Sequence, residues 1–425
     1  MKLQQIVNRL QKLHPKEIDL SLDRIINLCK KLELEEFLED KIKAISIVGT
    51  NGKYSTIQVL FAILKEANLK CNIYTSPHIK KINERFVFNN LELGDEELVS
   101  LLEKVEKTND NNPITYFEIL TAAYFYKAAE YPNNINLIET GLFHRFDATN
   151  ILKKNLASIV TPIGLDHLDW LPKSQRTIKR IIFEKTSALL NSKIIIAKQS
   201  TDEINNQIKE ALSKNTSQKI FFNKDYNFSI NEKKFLNYED KIGRIELLSP
   251  NVKGQFQHEN VSTAIASLRY IDEFDINEKH IKKGVTKINS MARLQEITKG
   301  KLKDLVINNK LLIDGSHNPL GAKVLNEYLD SLDCDKHIIL GMMKNKDHRE
   351  YISYFKNISS LTVIDVPNQP NSIKGVVLKN KLNNFKNIQY KENIINAISS
   401  IPLKKNDLIL ITGSLYLAGE VLNLN

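Results

Sequence analysis

The segment from Ala44 to Ser55 constrains the fold of this chain more than any other part of the sequence. Residues 44–48 are mainly apolar and rich in β-branched side chains, which predicts a buried strand that stops at the loop Gly49-Thr50-Asn51-Gly52-Lys53. A helical pattern follows, and its apolar face is formed by Ile57, Leu60, Phe61 and Leu64. In a strand, glycine loop and helix of this kind, backbone N–H groups face phosphate oxygens and the lysine adds a positive charge. The segment therefore predicts binding of a nucleoside triphosphate.

The loop departs from the strict P-loop spacing, Gly-x-x-x-x-Gly-Lys-Ser/Thr. Ile47 occupies the position of the first glycine, and Tyr54 follows the lysine. On the loop and its flanking pattern alone, an ordinary strand-to-helix turn is therefore an alternative interpretation.

Length and composition favour a globular chain of two domains. The chain has 425 residues, of which 42% are hydrophobic and 26% charged. No apolar run approaches the about 20 residues that a membrane helix needs. The three cysteines give neither a disulfide framework nor a metal spacing, so we expect a reducing cytoplasm. The formal net charge is +10, but the lysines are dispersed among acidic residues, which disfavours nucleic-acid binding.

Strand-like apolar runs alternate with helical patterns along the chain, which predicts doubly wound α/β sheets. Within Ile220–Leu248, apolar and polar residues alternate, which predicts a small antiparallel insert. A polar stretch near Ser290 predicts a domain boundary. The predicted strands are Ala44–Val48, Cys71–Tyr74, Ile135–Glu139, Ala157–Val160, Ile194–Ala197, Leu311–Asp314, His337–Leu340, Leu361–Val366 and Leu408–Thr412.

Polar residues follow three of these strands and suggest a metal site beside the phosphate loop. Glu139 ends an apolar strand, where a buried carboxylate is costly unless it meets a cation. His167 follows a second strand after a short turn, and Ser76 follows a third. Taken singly, the histidine is an ordinary polar residue and the Ser-Pro pair an ordinary turn. Together, a hydroxyl, a carboxylate and an imidazole with nucleotide phosphates form a mixed magnesium site.

The motifs, taken in order, resemble the bifunctional dihydrofolate synthase/folylpolyglutamate synthase family of the Mur ligase superfamily. The glycine loop resembles its phosphate loop, and Asp314-Gly315-Ser316-His317-Asn318-Pro319 is the most specific run of the second half. Further matching runs are Ile18–Arg24, Thr75–His78, Asn83–Arg85, Thr115–Glu118, Glu139–Leu142, Arg145–Asn150, Gly164–His167, Phe183–Lys185, Gln257, Asn260, Arg293, Lys346-Asp347 and Gly413–Tyr416.

The resemblance implies an α/β fold with two domains. A P-loop-type doubly wound sheet domain with an Ω-loop would span residues 1–289 and bind ATP. A linker would span residues 290–298. A smaller, Rossmann-like α/β domain, the glutamate ligase domain, would span residues 299–425.

The resemblance also implies the site residues. Ser76, Glu139 and His167 would bind a first Mg²⁺, and a carbamylated Lys185 would bind a second. Lys53 and Lys185 would be catalytic, and His317 is a candidate to assist near the phosphates. ATP would contact Gly49, Thr50, Asn51, Gly52, Lys53, Ser55, Asn260, Arg293 and Asp314. Substrate would contact Asp19, Leu20, Thr115, Phe117, Glu118, Phe146, Asp147 and Ala148.

The implied activity is ATP-dependent addition of L-glutamate to dihydropteroate and to reduced folates through an acyl phosphate. We expect a cytoplasmic monomer without nucleic-acid or membrane partners. One alternative is a Mur-type amide ligase acting on a UDP-linked cell-wall precursor, which the runs Ile18–Arg24 and Thr115–Glu118 disfavour. A second is a nucleotide-binding regulatory protein, which would not need Lys185.

One departure from the family pattern stands out, because Phe143-His144 occupies a position where the family usually has two glycines.

Overall fold

The computed structural model describes residues 2–13, 21–385 and 387–425. They form two compact units. The N-terminal unit comprises Met1–Gly164, Pro172–Asn251 and Glu259–Asn289, and the C-terminal unit comprises Leu165–Leu171, Val252–His258 and Ser290–Asn425. The predicted substrate contacts Asp19 and Leu20 lie outside the described residues.

An eight-stranded sheet is the centre of the N-terminal unit, with strand order β4-β3-β2-β5-β1-β6-β7-β8. Its strands are β1 (Lys43–Val48), β2 (Cys71–Tyr74), β3 (Phe86–Phe88), β4 (Leu91–Glu92), β5 (Ile135–Glu139), β6 (Ala157–Val160), β7 (Lys193–Ile196) and β8 (Lys219–Phe221). All neighbours pair in parallel except β2 with β3 and β3 with β4. The central strands are buried along their length, as their mainly apolar pattern predicts.

Helices cover this sheet, and α3 follows β1 directly through the glycine loop. The helices that begin in the N-terminal unit are α1 (Lys2–Leu13), α2 (Asp23–Lys31), α3 (Lys53–Glu66), α4 (Asp95–Asn109), α5 (Tyr116–Ala128), α6 (Ile178–Thr186) and α7 (Asp202–Ala211). Two more follow, α8 (Gln255–Tyr270), whose first turn is counted with the C-terminal unit, and α9 (Glu278–Gly284). The short helices are Phe37–Lys41, Ile82–Arg85, Leu168–Trp170 and Lys173–Gln175.

The antiparallel insert is smaller than predicted. Strands β9 (Tyr226–Ile230), β10 (Leu236–Asp240) and β11 (Gly243–Leu247) form a three-stranded antiparallel sheet. The predicted range began at Ile220, but Ile220 belongs to β8, which pairs in parallel with β7. The prediction was wrong there because a three-residue strand is too short for its sequence to show which sheet it joins.

The C-terminal unit contains a six-stranded sheet with the order β12-β13-β17-β14-β15-β16. Only β12 is antiparallel to its neighbour among the paired strands. The strands are β12 (Gln295–Glu296), β13 (Lys310–Ile313), β14 (Lys336–Leu340), β15 (Ser360–Ile364), β16 (Ile388–Lys391) and β17 (Leu408–Thr412). The helices are α10 (Lys301–Asp304), α11 (Pro319–Asp330), α12 (His348–Ser353), α13 (Gly375–Lys381), α14 (Ile394–Ser399) and α15 (Leu415–Leu424).

The two mainly parallel sheets, with helices between their strands in the chain, confirm the predicted α/β fold class. The nine predicted strands are all present, with ends that differ from the prediction by at most two residues. No helix among the described residues combines the length and the apolar character needed to span a membrane.

Candidate active site

The phosphate loop connects β1 to α3 in the predicted way. Gly52 is the residue before the helix, and its φ of +85° is a left-handed conformation that glycine adopts without strain. A Cβ atom on Gly52 would lie 2.6 Å from Asn260 Oδ1, and one on Gly49 would lie 1.9 Å from Thr161 Oγ1. Both glycines are therefore required by close packing as well as by the turn.

The segment after β6 fixes the course of this loop. Pro162 O accepts hydrogen bonds from Thr50 N at 2.9 Å and from Asn51 N at 3.2 Å. Thr50 Oγ1 donates to Gly164 O and accepts from Gly164 N, both at 3.1 Å. Those two loop amides are satisfied within the protein, so the N-terminal turn of α3 is the part of the motif best placed to meet phosphate.

Lys53 begins α3, and its ammonium group lies at the carboxyl ends of the central strands. Lys53 Nζ donates to Gly49 O and Thr50 O, both at 3.2 Å, and lies 3.8 Å from Glu139 Oε1. The side chains of Lys53 and Glu139 are only 12% and 6% exposed. Because β1 and β5 are adjacent parallel strands, the chain places a fixed cation and a buried carboxylate side by side.

Ser76 joins this group from the end of β2. Its backbone N–H donates to Glu139 Oε2 at 3.2 Å, and the Ser76–Pro77 peptide bond is cis. A carboxylate with a neighbouring serine provides hard oxygen ligands, which suit Mg²⁺. No cluster of three or more His, Cys, Asp or Glu side chains fit for a metal occurs among the described residues. Glu139 and Ser76 nevertheless fit a magnesium ion that completes its coordination with phosphates and water.

Lys185 is buried near the phosphate loop. It lies near the end of α6, and its Nζ donates to Gly49 O at 2.8 Å and to Leu142 O at 3.1 Å. The Phe143 ring centroid lies 5.9 Å from the same Nζ. Lys185 and Lys53 thus both donate a hydrogen bond to the backbone carbonyl of Gly49. Its predicted carbamylation stays a prediction.

The Phe143-His144 departure lies in this buried region. Both residues are buried, and His144 Nδ1 has no hydrogen-bond partner. Burial, together with the nearby Lys185 charge, lowers the pKa of His144 to about 4. The imidazole is therefore neutral in the folded protein at neutral pH.

This depressed pKa makes the folded state sensitive to acid. The folded pKa of His144 is below the unfolded value of 6.5, so the unfolded chain binds the proton first as the pH falls. Stability from this group is complete above pH 6.5 and is lost toward pH 4. We expect the free energy of unfolding to fall by about 2 kcal/mol more in the parent than in His144→Leu between pH 7 and pH 5. Guanidinium unfolding at both pH values measures this difference, and equal losses would contradict it.

Asp147 organises the loop that follows β5. Its Oδ2 accepts from Gly141 N and Leu142 N at 3.0 Å, and its Oδ1 accepts from Thr149 N at 3.0 Å and Thr149 Oγ1 at 2.6 Å. Burial raises the pKa of Asp147, and these hydrogen bonds offset part of that shift. A carboxylate accepts about four hydrogen bonds, so all of its capacity is used inside the loop. The predicted direct contact between Asp147 and substrate stays a prediction.

The other predicted substrate contacts separate into two groups. Phe117 lies beside this loop, because a Cβ atom on Gly141 would lie 2.8 Å from its ring. The guanidinium of Arg145 lies over the Phe146 ring, with its central carbon 4.3 Å from the ring centroid. Thr115 and Glu118 instead form the capping box of α5, and Ala148 is buried in the hydrophobic core. For these last three residues the structure shows a structural role.

In the C-terminal unit, Asp314 follows β13. Its carboxylate is buried and accepts from Leu294 N and Ser316 N, each at 2.8 Å. Burial raises the pKa of Asp314, and the Arg293 charge offsets part of that shift. Arg293 Nη1 donates to Ala292 O at 2.9 Å. The roles of Arg293, Asp314 and Asn260 toward ATP stay predictions.

The C-terminal unit also contains a cluster that sequence reasoning recognised only in part. Asp166 contacts Lys346 and Asn318, and lies close to His167 and His317. Burial raises the pKa of Asp166, but the close His317 and the charges of His167 and Lys346 hold it well below its usual range. Asp166 and Lys346 both lie within motifs that resemble the family, and this resemblance is the feature of the sequence that points to them. The predicted role of His167 as a metal ligand stays a prediction.

Comparisons with known proteins show which proteins this chain resembles. Residues 301–415 match the family described as Mur ligase, glutamate ligase domain. The dihydrofolate synthase/folylpolyglutamate synthase of Haemophilus influenzae is 29% identical over 433 residues, which cover 97% of this chain and 94% of that protein.

Two solved structures share the fold. Escherichia coli FolC in complex with DHPP and ADP has a TM-score of 0.85 at 24% identity, and the match covers 99% of this chain and 97% of that one. The Yersinia pestis bifunctional folylpolyglutamate synthase/dihydrofolate synthase complexed with AMPPNP and Mn ion has a TM-score of 0.85 at 22% identity, with the same coverage. The resemblance that the motifs indicated is confirmed, because the chain is similar over nearly its whole length to proteins named dihydrofolate synthase/folylpolyglutamate synthase.

Proposed function

We propose that this protein is an ATP-dependent ligase that adds L-glutamate to dihydropteroate and to reduced folates. The observation that carries the proposal is the buried Lys53–Glu139 pair beside a glycine loop at the carboxyl ends of β1 and β5. The full-length similarity to proteins named dihydrofolate synthase/folylpolyglutamate synthase supports the choice of substrates.

The reaction has two steps. A carboxylate oxygen of the pteroate or folate attacks the γ-phosphorus of ATP, the bond to ADP breaks, and an acyl phosphate forms. The amine of L-glutamate then attacks the acyl carbon, inorganic phosphate leaves, and a proton is released as the amide forms. The acyl phosphate is needed because a carboxylate is itself a poor electrophile.

Lys53 acts on the phosphoryl group. Its ammonium is fixed by two backbone carbonyls, so it can neutralise charge on the transferring oxygens without first reorganising. Glu139 and Ser76 would bind a magnesium ion, which supplies further charge neutralisation when bound. A second ion held by a carbamylated Lys185 is part of the proposal. Its support is the contact of Lys185 with the phosphate loop at Gly49.

The loop after β5 forms the pteroate side. Phe117 offers an aromatic face to the pterin, and it lies close to Gly141 in the loop that Asp147 holds. Phe143-His144 is part of the same loop, and its bulky side chains are turned into the protein interior. The replacement of two glycines therefore does not by itself fill the pteroate side, and we expect both activities to be present.

The test is phosphate release from ATP by the pure protein with Mg²⁺. We expect release that requires both L-glutamate and dihydropteroate, and a second, separate release with L-glutamate and tetrahydrofolate. Mass spectrometry of the products checks that each gains one glutamyl residue. Activity with tetrahydrofolate alone would restrict the function to folate extension. Activity only with a UDP-linked cell-wall precursor would support the alternative ligase, and ATP binding without any release would support a regulatory protein.

A further inference from the structure

Asp166 is the centre of a cluster within the C-terminal unit. Its side chain is only 7% exposed. Asp166 Oδ1 accepts from Lys346 Nζ at 2.7 Å and from His167 N at 2.8 Å, and Oδ2 accepts from Asn318 Nδ2 at 3.0 Å. A buried carboxylate with a direct lysine partner is a strong interaction, because neither charge is well hydrated.

His317 is oriented by the same carboxylate. Its Nε2 lies 3.7 Å from Asp166 Oδ2, and its Nδ1 lies 2.9 Å from Gly315 O. The imidazole therefore lies between two oxygen atoms, with a hydrogen bond at Gly315 and an ion-pair distance at Asp166. The side chain of Lys346 is 12% exposed and that of His317 is 26% exposed, so both retain access to a ligand.

We propose that Asp166 is a positioning residue that holds Lys346 and His317 together as donors for an anionic group of a substrate. A lysine side chain has four rotatable bonds, and fixing it without a partner costs rotamer entropy. The contact with Asp166 occupies one of the three ammonium donors and leaves the others for a phosphate or carboxylate oxygen. The inference rests on the proposed function, because that reaction supplies the anionic groups.

The first test is a double-mutant cycle in the phosphate-release assay. We expect Asp166→Asn and Lys346→Met each to lower kcat/KM by about 30-fold or more, because each leaves the other partner without its charge. The double variant should be no worse than Lys346→Met alone, since the interaction is already lost. A KM that rises for one substrate and not for the others identifies the bound anion.

Asp169→Asn is the matched control. Asp169 is an exposed carboxylate in the same segment, and its Oδ2 accepts from Asn345 Nδ2 at 2.7 Å, next to Lys346 in the chain. We expect it to leave kcat/KM within about threefold of the parent and to be additive with Lys346→Met. Thermal melting of every variant separates a loss of fold from a loss of positioning.

The second test does not depend on activity. The parent, Asp166→Asn and Asp169→Asn are labelled briefly with acetic anhydride, and mass spectrometry compares Lys346 with Lys344. Loss of Asp166 should raise the relative labelling of Lys346 about fivefold or more, because its amine becomes mobile and accessible. An inactive parent with this labelling change would contradict the proposed function and support the positioning role. Additive losses in the cycle with unchanged labelling would overturn the inference.

Discussion

Lys53→Met should lower kcat for glutamate-dependent phosphate release by about 100- to 1,000-fold, the range seen when one preorganised donor to a developing charge is removed. The structure explains why the loss should be large. The ammonium is held by Gly49 O and Thr50 O and lies 3.8 Å from the Glu139 carboxylate. The positive charge is therefore already in position, and a mobile side chain that replaced it would first lose conformational entropy. Methionine keeps most of the apolar stem, and the change therefore removes chiefly the charge.

Lys65→Met is the control for this prediction. Lys65 lies in the last turn of the same helix, is exposed, and lies over the Phe61 ring at 5.9 Å from its centroid. Its replacement should leave kcat within about twofold of the parent, since surface substitutions have small effects. Single-turnover measurement of acyl phosphate formation would show that the chemical step is the one affected. Near-normal turnover in Lys53→Met would remove the assignment of the phosphate loop.

The sequence predicts the sheets well because their central strands are buried on both faces. Strands such as Ile135–Glu139 and Leu408–Thr412 are mainly apolar and buried at every position, and their ends are observed as predicted. Short strands at the sheet edges, including Leu91–Glu92 and Gln295–Glu296, were missed. Two or three residues carry no periodicity, so tertiary pairing alone decides that they are strands.

The site was predicted where chain order and strand ends determine position. Lys53 and Ser76 follow β1 and β2, Glu139 ends β5, and the parallel pairing of those strands brings the three residues together. Thr115 and Glu118 form the capping box of α5, and their predicted contact with substrate stays a prediction. A Thr-x-x-Glu run before an apolar helix is a capping signal in its own right, so this run has a structural role whether or not it contacts substrate.

The cluster around Asp166 shows a limit of a different kind. Asp166 and Lys346 are 180 residues apart in the chain, and each lies in its own short run that resembles the family. Their pairing at 2.7 Å depends on the tertiary fold, which the sequence pattern does not encode locally. Family motifs identify such residues one at a time, and the structure shows which of them act on each other.

Glu139→Gln should weaken divalent-metal binding by about 100-fold or more, because it removes the carboxylate charge that is proposed to bind the metal directly. Glutamine has nearly the same volume, and its amide oxygen can still accept from Ser76 N, which donates to Glu139 Oε2 at 3.2 Å in the parent. The variant therefore changes charge with little change in packing. Electron paramagnetic resonance of Mn²⁺ in the presence of a non-hydrolysable ATP analogue measures the affinity directly. The Mg²⁺ concentration for half-maximal phosphate release should rise in parallel.

Two further variants decide what a change in Glu139→Gln means. Glu92→Gln removes an exposed carboxylate that pairs with Lys81 at 2.5 Å in the same unit, and it should bind Mn²⁺ like the parent. Ser76→Ala keeps the backbone N–H that contacts Glu139 but removes the hydroxyl, so a smaller loss of affinity, about 10-fold, is expected if that oxygen is a ligand. If Mn²⁺ affinity is unchanged in both Glu139→Gln and Ser76→Ala, the carboxylate serves only to balance the charge of Lys53, and the metal is bound elsewhere. In that case Glu139→Gln should instead alter the binding of the nucleotide itself, because the lysine would be left without its buried counter-charge.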